Sequence, residues 1–225
     1  MPNLPRYAYH LAEAVNWHSI EQHGLLSTHR LLDVAGVCGQ ERLRLERQQR
    51  TERVILPNAV AIRDQKPMPP VALEKCLDGM TPQEWYVLLN SKVFFWFDIE
   101  RLNRHRRACG TLPQVVMIVD VEQLLMRYAT RIALTPINTG NARRQPARRG
   151  QHTFVPYVTW LESGWRIEAD ALGTNPRSRS HRPVELTVVD AVPDVMDFVV
   201  DVQRVEAGEE MVMRRMGNTV RSSHL

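Results

Sequence analysis

Two residues near opposite ends of the chain have side chains that could carry out chemistry. Glu185 lies in the apolar run Val184-Glu185-Leu186-Thr187-Val188-Val189. Side chains alternate between the faces of a strand, so Val184, Leu186 and Val188 point one way and Glu185 with Thr187 the other. A carboxylate set apart from an apolar face can stabilise developing positive charge or hold a hydroxyl group. His10 closes the stretch Tyr7-Ala8-Tyr9-His10-Leu11, which has the aromatic composition of a short strand. A neutral imidazole both donates and accepts a hydrogen bond, which suits a hydroxyl group. Phe94 and Trp96 share one face of the run Lys92-Val93-Phe94-Phe95-Trp96-Phe97 and could wall a flat ring.

The net charge is +4, and nearly all the positive charge is arginine; the lysines are Lys66, Lys75 and Lys92. Arg143, Arg144, Arg148 and Arg149 cluster in one stretch, and Arg177, Arg179 and Arg182 in another. Both stretches are rich in Gly, Pro, Asn and Ser, which predicts loops. Basic loops on a modestly basic protein suit a polyanion, so Arg143, Arg144, Arg148, Arg149 and Gln151 are nominated to contact DNA or RNA.

Several chemistries are excluded. The chain has no G-x-G-x-x-G, no P-loop, no H-E-x-x-H and no G-x-S-x-G elbow. Its eight histidines show no metal-ligand spacing, so no metal is expected. Cys38, Cys76 and Cys109 are scattered, which predicts free thiols in a reducing cytoplasm. No apolar run approaches the ~20 residues that span a bilayer, and Met1 to Arg6 lack a signal-peptide layout. No membrane association is expected.

These candidates must be positioned by separated strands and helices. A helix is expected over Glu13 to His23, stopped by Gly24, with Ser27 able to cap the next. Gln40 to Arg53 reads as an exposed helix, and Val54 to Ile62 as a strand broken at Pro57-Asn58. Thr81-Pro82-Gln83-Glu84 is a capping box opening a helix. Lys92 to Phe97 is apolar on both faces and should be a central strand. A basic helix (Ile99 to Ala108), a strand (Val115 to Val119), a helix (Val121 to Tyr128) and a long loop (Asn138 to Gln151) follow. Val184 to Val189 and Phe198 to Val205 read as two late strands joined at Val192-Pro193-Asp194. Residues 152–183 receive no element. The mixture predicts an α+β fold over residues 1–225 as a single domain, without Rossmann alternation, and with about the last ten residues disordered.

Some of these residues also resemble a family. Tyr9-His10-Leu11, a helix, then Ile20-Glu21-Gln22-His23-Gly24-Leu25-Leu26-Ser27 resembles the opening of ADP-ribosyltransferase-fold proteins, above all the DarT-type DNA ADP-ribosyltransferases and the RNA 2′-phosphotransferases. Pro183-Val184-Glu185-Leu186-Thr187-Val188, with Val192-Pro193, Val200 and Val205, resembles the strand pair that carries the glutamate in DarT proteins. Arg63 to Met68 is similar to an arginine-proline-methionine segment of the same family. The resemblance covers about a quarter of the chain. It implies two small β-sheets around an NAD cleft with peripheral helices. It also implies transfer of ADP-ribose from NAD, with a nucleic-acid base as acceptor. On that resemblance Glu185 and Arg63 are catalytic, and His10, Gly24, Leu25, Phe94 and Trp96 bind NAD. An RNA 2′-phosphotransferase-like enzyme, a protein ADP-ribosyltransferase or a catalytically silent nucleic-acid-binding module are the alternatives. A toxin, defence or repair role, and any antitoxin or immunity partner, stay open.

Overall fold

The computed structural model describes residues 4–108, 112–143, 146–178, 180–206 and 208–212. Arg144, Arg179, Cys109 and the last ten residues, each part of an expectation above, lie outside that set.

The chain opens with β1 (Tyr7–Glu13) and α1 (Trp17–His23). Gly24 ends α1 at φ 69° and ψ −156°, a conformation open almost only to glycine, and donates its N–H to the Ile20 carbonyl at 2.8 Å. β2 (Leu25–Leu26) follows, and the Ser27 hydroxyl caps α2 (Thr28–Val34) as the sequence predicts. His10 sits in the middle of β1, not at its end, because the strand continues through Glu13.

The expected helix over Gln40 to Arg53 is shorter. α3 (Gly39–Arg47) stops, and residues 48–53 are irregular. The cause is Arg50, which turns inward rather than to solvent. It is 7% exposed; its Nη1 donates to the Leu45 carbonyl at 2.8 Å and to Asn90 Oδ1 at 3.1 Å, and its Nε to the Arg63 carbonyl at 2.9 Å. A buried guanidinium needs such partners, and carbonyls on three segments supply them. The broken strand becomes the ribbon β3 (Val54–Ile55) and β4 (Ala61–Ile62), and the proline-rich stretch leads to α4 (Pro70–Glu74). Leu32, Leu45, Leu56, Val60 and Ile62 form a small core of their own under this segment.

The capping box at Thr81 and Glu84 forms and opens α5 (Pro82–Asn90). β5 (Lys92–Trp96), α6 (Ile99–Ala108), β6 (Gln114–Asp120) and α7 (Val121–Tyr128) come next. Asp120 ends β6 and caps α7, its carboxylate accepting from the Gln123 N–H at 3.2 Å. β7 (Ile132–Thr135) precedes the long loop. β8 (Val155–Pro156), α8 (Tyr157–Ser163) and α9 (Arg166–Leu172) fill much of residues 152–183, where no element is expected. β9 (Glu185–Val189), β10 (Ala191–Val192) and β11 (Val199–Val205) complete the described chain.

One seven-stranded sheet runs β11-β6-β1-β5-β9-β7-β8, with every pairing antiparallel. β5 is its middle strand, as its two apolar faces predict. β2–β10 and β3–β4 are separate two-stranded ribbons. The expectation of two small sheets is therefore corrected, with a reason visible in the register. β1 pairs with β6 along its whole length, but with β5 at one position, Tyr9 opposite Trp96. The two halves of the sheet meet there and then part. The two late strands are not a pair either. β9 lies between β5 and β7, whereas β11 is at the far edge beside β6, and β10 leaves the sheet between them to join β2.

The main core lies on one face of the sheet. It joins Val93, Phe95, Leu134, Leu186 and Val188 to Ile20, Leu124 and Trp160 of the covering helices. A second core, with Leu73, Trp85, Tyr86 and Phe154, seats α4 and α5. Each large apolar side chain fully buried in this way contributes about 1.5–3 kcal/mol. No helix among the described residues is long and apolar enough to cross a membrane.

Candidate active site

Where β1 and β5 part, the strand carbonyl of Phe94 loses its cross-strand partner. The His10 side chain takes the bond instead, with Nδ1–H donating to the Phe94 oxygen at 2.8 Å. Burial, and after it the nearby positive charge of Arg63, pushes the His10 pKa down to about 4. The ring is then neutral near pH 7, and because Nδ1 carries the proton, Nε2 is left as an acceptor for a hydroxyl.

The parted strands open into a cavity of about 460 Å³, within the usual range for small-molecule sites. Its lining includes His10, Gly24, Leu25, Arg63, Phe94, Trp96 and Glu185. Every residue nominated for catalysis or NAD binding therefore borders one space, although the residues come from 175 positions of sequence separation (185 − 10).

Glu185 begins β9, with Trp96 opposite it on β5 and Thr135 opposite it on β7. An interior strand position, not an exposed sheet edge, explains why it is 3% exposed. Its Oε2 accepts from Thr135 Oγ1 at 2.9 Å, Thr139 Oγ1 at 2.8 Å and the Thr139 N–H at 3.2 Å. Burial nevertheless dominates and lifts the pKa to about 7; the threonine bonds and the Arg149 charge restrain the rise. All three bonds fall on Oε2, so Oε1 is the oxygen left to meet a ligand.

Arg63 donates from Nη1 to His105 Nε2 at 2.8 Å. His105 is held neutral, near pKa 4, by burial and then by Arg63, and its ring lies 5.6 Å from Trp96. Arg63 Nη2 is buried with no hydrogen-bond partner among the described residues. Arg63 as a residue borders the cavity, so a positive charge stands at its wall. Lys92 also lines the cavity, its Nζ 4.8 Å from the Phe154 ring centre and its pKa lowered by burial.

The arginine loop does not act as one unit. Arg143 is exposed and donates to the Lys66 carbonyl at 3.3 Å, Arg148 is ion-paired with Asp78, and Gln151 is exposed outside the cavity. Arg149 corrects the expectation of an acceptor contact: it is 2% exposed, and its guanidinium faces the carbonyls of Thr139, Asn141 and Ala147. A loop rich in proline and arginine reads as surface, but one of its arginines is needed to satisfy carbonyls that the loop itself buries. Sequence reasoning missed His105 and Thr135. His105 is one basic residue among several on α6, and Thr135 ends a strand that the sequence did not reveal. Among the described residues, no group of three His, Cys, Asp or Glu could hold a metal ion.

Fold and cavity define a mixed helix-and-sheet protein with a mainly apolar cavity, carrying a few polar and charged groups, at a split in its main sheet. The chain belongs to the family of unknown function DUF7002, whose model matches residues 6–199. Among solved structures it is similar to "Thermus sp. 2.9 DarT in complex with NAD+", at 12% identity and a TM-score of 0.36, over 90% of this chain and 83% of that one. No curated protein matches it.

Proposed function

We propose that the cavity binds NAD and that the protein is an NAD-dependent ADP-ribosyltransferase. The observation that carries this reading is the meeting of His10, Arg63 and Glu185 at one cavity, where His10 Nε2 and Glu185 Oε1 are left without a partner among the described residues and Arg63 brings a positive charge. NAD needs an acceptor for a ribose hydroxyl, a cation for its pyrophosphate, a flat wall for its rings and a carboxylate beside the bond that breaks. His10 Nε2, the Arg63 guanidinium, Phe94 with Trp96, and Glu185 Oε1 supply them in that order.

In the reaction the bond from ribose C1′ to the nicotinamide nitrogen breaks, and its electron pair leaves with neutral nicotinamide. An acceptor N–H or O–H bonds C1′ and gives up its proton. Ionised Glu185 stabilises the positive charge that develops on the ribose, and a carboxylate with pKa near 7 is also well matched to take that proton.

The acceptor we favour is a nucleic-acid base. The support comes from α6 rather than from the arginine loop. Arg101 and Arg104 are exposed on it without an ion-pair partner among the described residues, and Arg104 borders the cavity. Phosphates held there would bring a base toward Trp96 and Glu185. The test is incubation with NAD labelled in its adenylate part, plus DNA, RNA and protein pools. Label in nucleic acid is expected. Label in protein alone would move the acceptor, and no nicotinamide release in any pool would remove the NAD reading.

The same reading fixes a pH dependence. The working form of Glu185 is ionised, so kcat/KM should rise tenfold per pH unit on the acid side and level off around the Glu185 pKa of about 7. His10 and His105, at about 4, stay neutral throughout and add no limb near neutrality. A profile flat from pH 5 to 8 would exclude Glu185 as the titrating group.

A further inference from the structure

We infer that Arg149 is a positioning residue for Glu185, acting from behind the cavity through the turn at 139–141. The inference rests on the reading of Glu185 just given. Arg149 does not border the cavity and touches no ligand space. Its Nη1 donates to the Asn141 carbonyl at 2.9 Å and to the Thr139 carbonyl at 3.3 Å, and its Nε donates to the Ala147 carbonyl at 3.0 Å. Nη1 thus holds both ends of the short turn from Thr139 to Asn141, while Nε ties the same guanidinium to Ala147. That turn supplies two of the three hydrogen bonds on Glu185, from the Thr139 N–H and hydroxyl.

The guanidinium is itself aimed by a pinned main chain. The Arg149 N–H donates to the Cys76 carbonyl at 2.8 Å, and its carbonyl accepts from the Asp78 N–H at 2.7 Å, beside a parallel bridge to Leu77. Gly150 continues the contact so closely that a Cβ there would lie 2.7 Å from the Asp78 oxygen. The segment 76–78 therefore fixes Arg149, Arg149 fixes Thr139, and Thr139 fixes the carboxylate. The Arg149 charge also reaches Glu185 and favours its ionised form. A lysine could supply the charge and one nitrogen, but not the planar pair of nitrogens that reaches the turn and Ala147 together.

The experiment compares Arg149→Met and Arg149→Lys with the parent chain. Glu185 is titrated through carboxyl carbon-13 spectra, its signal assigned by its loss in Glu185→Gln, and NAD cleavage is measured in parallel. In Arg149→Met the Glu185 midpoint should rise by about one unit or more, which leaves roughly fivefold less ionised carboxylate at pH 7. kcat at pH 7 should fall about fivefold or more while KM moves less than about twofold, because ground-state binding belongs to other residues. Arg149→Lys should fall between the two. A folded Arg149→Met with the parent's midpoint overturns the inference. If Arg149→Met does not fold, Arg149→Lys decides, and an unchanged midpoint with unchanged kcat overturns it equally. The titration needs no NAD, so a parent chain without NAD cleavage would count against the functional reading alone, and the midpoints would still test Arg149.

Discussion

At pH 8, Glu185→Gln is expected to slow NAD cleavage by about 10²-fold or more and yet melt at a higher temperature than the parent. The rate loss follows from the role of the carboxylate: its charge acts mainly as positive charge develops on the ribose, so its removal falls on the transition state and leaves NAD affinity nearly unchanged. The gain in stability follows from burial. Glu185 has its folded pKa raised from 4.5 to about 7, so the native state binds that proton more tightly than the unfolded chain does. The stabilisation is fully present below the unfolded value, declines as pH rises from about 4.5, and is lost above about 7. Keeping the carboxylate ionised at pH 8 therefore costs about 3 kcal/mol, which a neutral amide avoids. For a chain of this size that corresponds to roughly 6–12 °C in Tm. The gain should vanish near pH 4, where the parent is also protonated. A variant that is less stable than the parent at both pH values would show that the Thr135 and Thr139 bonds outweigh desolvation. Cleavage at the parent rate would remove Glu185 from the mechanism.

Gly24→Ala is expected to destabilise the protein by about 2 kcal/mol or more, and to lose NAD binding in the fraction that folds. The residue combines φ 69° with ψ −156°, and a Cβ there would lie 2.4 Å from both the Val192 and Pro193 carbonyl oxygens. Neither obstacle can move cheaply. Val192 is paired with Leu25 in the β2–β10 ribbon, and Asp190 accepts from the Ser27 N–H at 2.8 Å just beyond it. Pushing the ribbon apart displaces Leu25, which is 2% exposed and borders the cavity. Thermal melting beside NAD titration checks both halves. An alanine variant with the parent's Tm and affinity would mean that the turn is far more compliant than its geometry indicates. Gly24 was nominated from its place in a family-like turn. The structure adds a reason of its own: close backbone packing, whatever the glycine's contact with a ligand.

Local signals in the sequence were read well where a short stretch settles its own conformation. The capping box at Thr81 and Glu84, the Ser27 cap, the stop at Gly24 and the two apolar faces of β5 all depend on neighbours within a few residues. Signals failed where a distant partner intervened. Arg50 belongs to a strongly charged stretch and reads as solvated, yet Leu45, Arg63 and Asn90 receive its guanidinium and end the helix early. Arg149 reads as one of four equivalent loop arginines, yet it is the one drawn inside. No count of charges distinguishes them, because what buries a cation is the set of carbonyls that the rest of the fold presents to it.

The sequence by itself determined the caps at Ser27 and Thr81, the stop at Gly24, the central position of β5 and the alternation that sets Glu185 apart from an apolar face. Those properties follow from residue type and period, which act over a few positions. Only the tertiary structure decided that β9 and β11 go to different places in the sheet, that β1 and β5 part after one pair, and that His10, Arg63 and Glu185 meet in the gap. It also decided that Glu185 is a buried carboxylate with pKa near 7 rather than an exposed edge residue. Strand pairing and desolvation depend on which segments, far apart in the chain, come to lie beside one another, and the alternation within a single strand carries no record of its neighbours.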